Sequence, residues 1–416
     1  MNPRLRPVEV RPLVDRGQPV LMLRDPLGLS DKVVILPQAL GALLALCDGS
    51  RDAAELYAAL LVHTGLRVMP DIIQRVIDHL DDALLLENDR FAHAYAETLR
   101  VYRAAPFRPP ALAGQGYPGE PAALRDLLED YLAKTAVNGT GPGVVGLVSP
   151  HIDYPRGGPV YAGVWRRAAE AVRAADLAII FGTDHAGGAG RITLTRQNYA
   201  TPYGTLPTAA DVVDATVAAI GEEAAFAEEI HHRQEHSIEL AAVWLHHIRG
   251  GQPCRVVPIL CGSFHHFVEN AAGTQPGDPA ADPIFNAALE ALCAASAGQR
   301  VVIVAAADLA HIGPAFGGSF PIDRIRYEQL QVADEILIET ITAGDAAAFF
   351  RTIAAEGDRR NVCGLPPIYL ALRALRALRL LGGDVRGELT GYDRCPADEQ
   401  DTSFVSVCGV VLRENP

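Results

Sequence analysis

The chain of 416 residues contains no run of about 18 consecutive apolar residues, so no membrane-spanning helix is expected. Clusters of basic residues are missing as well. The formal net charge is −14, and a protein that grips a nucleic-acid backbone needs a Lys/Arg surface, so nucleic acid is excluded as a partner. The seven cysteines (Cys47, Cys254, Cys261, Cys293, Cys363, Cys395 and Cys408) are odd in number and never spaced as CxxC. That pattern argues against a disulfide framework and points to a reducing, cytoplasmic setting. The opening MNPRLRPVEVRPLVDRG has no apolar core of a secretory leader. Neither GxGxxG between a strand and a helix nor GxxxxGK[ST] occurs, so nucleotide binding has no support. Internal repeats and low-complexity tracts are also absent.

What is present is enough apolar material for large cores, 49% of the chain, and enough length for two domains. Residues 1–103 read as a small unit. Strands are expected over 20–25 and 33–36, joined through the turn residues Asp25-Pro26-Leu27-Gly28. Helices are expected over 37–46, 53–64 (with Ser50 as N-cap) and 70–82, and a short strand over 84–87. This order predicts a winged-helix-like α+β module. The run LALCDGSRDAAELYAAL followed by IIQRVIDHLDDALLLEN resembles PqqD-like peptide-chaperone domains over residues 18–90. That resemblance implies docking of a peptide leader by strand addition; a helical lid or dimerisation unit is the plainer alternative. DNA binding, another use of winged helices, is disfavoured because residues 1–100 carry 11 Lys/Arg against 14 Asp/Glu.

Residues 104–141, rich in Pro and Gly with one helix over 122–136, read as a linker ending in Asn138-Gly139-Thr140-Gly141-Pro142-Gly143. Over 142–416 strands alternate with helices. Strands are expected at 144–148, 177–181, 256–260, 301–306 and 404–412, with helices at 159–174, 211–221, 236–248, 283–295, 324–343 and 366–381. That alternation predicts a three-layer α/β domain.

Ligands of open α/β sheets gather beyond the carboxyl ends of the strands. The first apolar run is followed by Ser149-Pro150-His151-Ile152-Asp153, the second by Gly182-Thr183-Asp184-His185, and the fourth by Ala307-Asp308-Leu309-Ala310-His311. Three strand ends thus deliver a histidine with an aspartate within three residues, a set suited to iron, zinc or copper. Cys363, in Asn361-Val362-Cys363-Gly364-Leu365-Pro366-Pro367, precedes a helix that Pro366 can start, and a helix N-terminus favours thiolate. The adjacent pairs His231-His232, His246-His247 and His265-His266 read as structural, since neighbouring side chains diverge. Cys254, Cys261, Cys293 and Cys408 read as core residues, and Cys395 as an exposed loop residue.

The segments SPHIDYPRGGPVYA, FGTDHAGG, EHSIEL, VVPILCGSF, ADLAHIGP, VCGLPP and DTSFVSVCGVVL occur in the order found in the Memo family, whose prokaryotic members are the AmmeMemoRadiSam system protein B group. The resemblance covers residues 140–416. It implies a fold like that of class III extradiol dioxygenases, with one metal ion held by His151, His185 and Cys363, the cysteine replacing a dioxygenase carboxylate. It further implies that Asp308, His311 and His236 line the pocket as catalytic groups, with Glu235, Glu239 and Asp153 as outer partners of the ligands. Asp184 stands where family members often have another polar residue, and is read as a further ligand or as the group fixing the His185 tautomer.

Iron(II) is the first choice of metal, with copper and zinc as alternatives. The function expected is a metal-dependent oxidoreductase, of dioxygenase type, acting on a small molecule or peptide. One alternative is a peptide-binding or maturation partner of a radical-SAM protein, and another is a zinc hydrolase.

Overall fold

A computed structural model describes residues 2–137, 139–268, 277–378 and 386–414. They form two compact units, Met1–Ala104 and Ala105–Pro416. Asn138, and positions 379–381 at the end of the helix expected over 366–381, lie outside the described residues.

In the first unit, β1 (Glu9–Asp15), β2 (Gln18–Arg24) and β3 (Val34–Pro37) form an antiparallel sheet in that order. Four helices follow: α1 (Gly41–Leu46), α2 (Ala53–Thr64), α3 (Pro70–Asp82) and α4 (Asp89–Ala104). The turn at Asp25 is fixed by its carboxylate, which accepts the backbone N–H groups of Leu27 and Leu29 and pairs with buried Arg6. Leu23, Leu36, Leu43, Leu56, Leu60, Ile73 and Leu80 meet in one core. Two expectations are corrected, and two elements are added. The N-cap of α2 is Asp52, not Ser50, and it forms a reciprocal capping box with Glu55. The strand expected over 84–87 is a single bridge from Leu86 to Leu5. Strand β1 and helix α4 were not foreseen: β1 lacks a polar–apolar alternation, whereas Phe91, Tyr95, Leu99 and Tyr102 of α4 do recur at helical spacing.

The second unit opens with α5 (Pro121–Lys134), β4 (Val144–Ser149), α6 (Tyr154–Arg167), α7 (Ala169–Ala174), β5 (Leu177–Thr183), β6 (Ile192–Leu194), β7 (Tyr199–Thr201) and β8 (Gly204–Leu206). It continues through α8 (Ala210–Ile220), α9 (Glu222–Phe226), α10 (Ser237–Ile248), β9 (Arg255–Cys261), α11 (His265–Val268), α12 (Pro283–Ala295), β10 (Val301–Ala306) and β11 (His311–Ile312). It ends with α13 (Arg324–Thr342), α14 (Ala346–Ala355), α15 (Leu365–Ala377), β12 (Arg386–Pro396) and β13 (Phe404–Arg413).

The main sheet runs β11-β13-β4-β10-β5-β9-β6, with β12 paired to β13. Its centre, β4-β10-β5-β9, is parallel, and the flanking strands are antiparallel. These central strands are apolar on both faces because both faces are covered. Ile179, Phe181, Ile303 and Ala305 face the core under α8, α12, α14 and α15, whereas Ala178, Ile180, Val302 and Val304 face the core under α6 and α10. Helices on both sides of a mixed sheet make three layers.

The stretch read as a linker is packed into this unit. Leu124, Leu128 and Leu132 of α5 are buried, and Arg108 is fully buried. Cys395 lies in β12 and is buried, not exposed in a loop. Strand β12 was missed because its solvent face interrupts the alternation with Gly387, Gly391 and charged residues.

Candidate metal centre

The strand order builds the site. β10 lies between β4 and β5, and Ala306 is level with Ser149 on one side and Gly182 on the other. The segments leaving these three strands therefore emerge side by side. His151, Asp308 and His185 follow two, two and three residues later. Helix α10 seats against β5 at Gly182, where a Cβ would meet the Ser237 Oγ and an Ile238 side-chain carbon at 2.6 Å.

Cys363 is brought in by the N-terminus of α15. Gly364 donates its N–H to the Asp308 carbonyl at 3.0 Å, and the Thr183 hydroxyl donates to the Cys363 carbonyl at 3.1 Å. A Cβ at position 364 would lie 2.2 Å from the Asp308 carbonyl oxygen, so only glycine allows this approach. The Cys363 Sγ ends 3.4 Å from His151 Nε2. One ligand atom from each of His151, His185 and Cys363 falls within 4.8 Å of the others.

The two histidines are oriented alike. His151 Nδ1 donates to the Ala306 carbonyl at 3.0 Å, and His185 Nδ1 donates to Glu235 Oε2 at 3.0 Å. Both Nε2 atoms remain for the centre. Glu235 Oε1 accepts the N–H groups of His236 at 2.7 Å and Ser237 at 3.0 Å and lies 3.1 Å from His236 Nδ1. The His236 ring stacks on His185 with centroids 4.9 Å apart and lies edge-on to His151 at 5.6 Å. Asp308 Oδ1 accepts the N–H groups of His151 at 2.8 Å and Ile152 at 3.2 Å, so this carboxylate holds the loop that carries His151. His311 is anchored by its N–H on the Arg360 carbonyl at 2.7 Å, with Nδ1 3.3 Å from the Leu309 carbonyl.

The electrostatics suit a thiolate. Burial disfavours ionised Cys363, but His151 and His311, with hydrogen bonds from His151 and His185, outweigh it and hold the thiol well below its usual range. The same coupling works on the rings. Burial opposes charge on His151, yet Asp308 and Cys363 raise it to about 9. His185 is likewise raised, by Glu235 and Cys363 against burial. Glu235 is held well below the ordinary carboxylate range by His185 and His236, despite its burial.

Three expected outer partners sit elsewhere. Asp184 accepts from His231 Nδ1 at 2.9 Å and does not fix the His185 tautomer, a part taken by Glu235. Asp153 caps α6 and pairs with Arg156 at 2.5 Å. Glu239 is committed to a different network: it pairs with buried Arg108 and accepts from Ala111 N at 2.7 Å, Leu112 N at 2.8 Å and the Tyr117 hydroxyl at 2.6 Å.

Among the adjacent histidine pairs, His232 is bound to Tyr199 and the Thr193 carbonyl and kept neutral by burial, its pKa lowered to about 3. His246 and His247 contact Thr201 and Tyr203. His231 belongs with Asp184 and Glu228 in a third group of mutually close donor atoms, beside that of His185, Glu235 and His236. The alternation rule, which separates His231 from His232, gave no signal for that cluster. Arg108 was also missed, because a lone arginine in a Pro-rich stretch has no pattern that marks it as buried.

Residues 108–411 match the family of Memo-like proteins. A MEMO1 family protein of Aquifex aeolicus is 24% identical over 415 residues, covering 99% of this chain and all of that protein. MEMO1 family proteins of Methanopyrus kandleri and Methanosarcina barkeri are 28% and 27% identical, covering 68% and 74% of this chain and 91% and 100% of their own lengths.

Proposed function

The chain belongs to the Memo-like family, and from that premise we propose that its second unit is a mononuclear metal-dependent oxidoreductase of dioxygenase type. His151, His185 and Cys363 are the ligands and iron(II) is the first choice of metal. The reading rests on one observation: three soft-to-borderline donors converge within 4.8 Å, and both imidazoles have their Nδ1 hydrogens already engaged. The donor set fits such an ion, because a thiolate and two neutral Nε2 atoms leave coordination positions open. A likeness to class III extradiol dioxygenases belongs to the same proposal.

Bound iron(II) would supply one-electron chemistry and a Lewis-acid centre. The protein does the rest. Glu235 fixes the orientation of His185 and His236 together. Asp308 holds the His151 loop rigid. His311 and His236 flank the ligands from opposite sequence segments, and each can hold or release a proton beside substrate. Both are half-buried, so substrate and water can reach them.

Elemental analysis of the purified protein beside His151→Ala and Cys363→Ala tests the ligand set. About one equivalent of iron or copper, lost in both variants, is the expected result. Oxygen uptake with a catechol panel, absent in Cys363→Ala, tests the reaction. Zinc in place of iron, with turnover independent of oxygen, would mark a hydrolase instead. Little metal even after anaerobic reconstitution would overturn the proposal.

A second reading is favoured by the first unit. Its sheet ends in β1, whose side chains from Val10 to Asp15 are exposed, and in β3, where Ile35 is exposed. Such edges accept an added strand. The reading is that this unit docks the leader of a peptide handled with a radical-SAM partner. Binding of candidate leader peptides by the full chain but not by residues 110–416 is the expected outcome.

A further inference from the structure

A pocket of about 220 Å³ opens beside His311, lined by Phe316, Phe320, Arg326, Arg359 and Asn361 among others, and none of its lining residues is acidic. We infer that it is a carboxylate-binding subsite, which takes the anionic end of a small organic acid with an apolar body. The inference rests on reading the adjoining metal centre as the place of reaction.

In a chain of net charge −14, a pocket lined by two arginines and no acidic residue is an exception that calls for an anion. Three neighbouring residues make the point. Arg360 is neutralised, by Asp334 at 2.7 Å and Glu356 at 2.6 Å. Arg359, one residue earlier, is exposed, and has neither an ion pair nor a hydrogen bond among the described residues. Arg326 lies over Phe320, its guanidinium 5.5 Å from the ring centroid, and its nearest carboxylate is Asp323 at 3.8 Å. The lining thus holds two arginines and no acidic residue, a local excess of positive charge. A planar guanidinium pairs with a carboxylate through two parallel N–H···O bonds.

The other walls define the rest of the ligand. Phe316 meets the His311 ring edge-on at 5.0 Å, so an apolar or aromatic body can lie between Phe316 and Phe320. The volume is below the ~300–1,000 Å³ of a drug-sized site, so the pocket takes a small acid or one end of a larger molecule.

The pocket is also tied to the metal centre. His311 is shared: its ring lines the pocket and interacts with the Cys363 sulfur. Its backbone is clamped to the loop that carries Cys363, through His311 N–H to the Arg360 carbonyl at 2.7 Å and Asn361 Nδ2 to the His311 carbonyl at 3.1 Å. Asn361 takes a left-handed backbone, φ +49°, to make that contact. An acid held by Arg326 and Arg359 would therefore present its far end to His311 and the ligand cluster.

The test is calorimetric titration of the full chain with benzoate, benzyl alcohol and phenyl phosphate, with metal content measured on the same samples. The proteins are wild type, Arg326→Gln, Arg359→Gln, and Arg300→Gln as a control at a remote surface ion pair. Benzoate should bind wild type and Arg300→Gln alike, and about tenfold or more weaker to the two pocket variants, as loss of a charge-assisted bond requires. Benzyl alcohol should bind at least as weakly as benzoate does to those variants, and metal content should be unchanged. Equal benzoate binding by wild type and Arg359→Gln, or tighter binding of phenyl phosphate, would overturn the inference. Wild type that binds benzoate but takes up no metal would sink the metal-centre reading and leave the subsite standing. Metal uptake without benzoate binding would do the reverse.

Discussion

His185 donates its Nδ1 hydrogen to Oε2 of Glu235 at 3.0 Å, and the Glu235 carboxylate is 7% exposed. This one bond sets the imidazole tautomer, aims Nε2 at the sulfur of Cys363, and couples the ligand to His236 through the other carboxylate oxygen. Replacing Glu235 with Ala is expected to weaken metal binding by about 10–100-fold while far-UV circular dichroism stays unchanged. Metal affinity equal to wild type would remove Glu235 from the centre.

Gly364 predicts a steric effect. Ala at this position would place a methyl group 2.2 Å from the Asp308 carbonyl. The start of α15 must then move, and Cys363 moves with it. Gly364→Ala should lose about 1–3 kcal/mol of stability, the usual range for overpacking, and bind less metal. A melting curve and metal content both matching wild type would contradict this.

Metal uptake should depend on pH with a definite sign. In the metal-free protein the His151 pKa is raised to about 9, so at neutral pH that ring carries a proton which a metal must displace. Apparent affinity should rise about tenfold per pH unit for each proton released, and the His151 contribution should level off near pH 9. Proton release measured by calorimetry in buffers of different ionisation heat checks it. No release at neutral pH would show that His151 is already neutral.

Arg108 and Glu239 form a fully buried ion pair that ties the start of the second unit to α10. Removing one partner leaves an uncompensated charge, so Glu239→Ala should destabilise this unit by about 3–5 kcal/mol. Urea unfolding of the full chain, followed by tryptophan fluorescence from Trp165 and Trp244, is the readout, because both tryptophans lie in that unit. A change under about 1 kcal/mol would mean that the pair contributes as little as a surface one.

Sequence alone determined the apolar runs of β4, β5, β9, β10 and β13, because strands buried on both faces must be continuously apolar. The candidate metal-ligand residues were also legible, since each histidine follows a strand end and Cys363 precedes a helix start directly along the chain. Local order was enough to place His151, His185, Asp308 and Cys363 near such ends. Only the tertiary structure decided which of them meet. The insertion of β10 between β4 and β5 is a long-range pairing with no local signal, and it alone puts three strand ends in one row. The choice of outer partners was decided there too. Glu235 lies just before α10 and Glu239 in its first turn, and nothing in their spacing of four says that one holds His185 and His236 while the other neutralises an arginine 131 residues away. Burial of a charge depends on what packs over it, and that is settled by the fold.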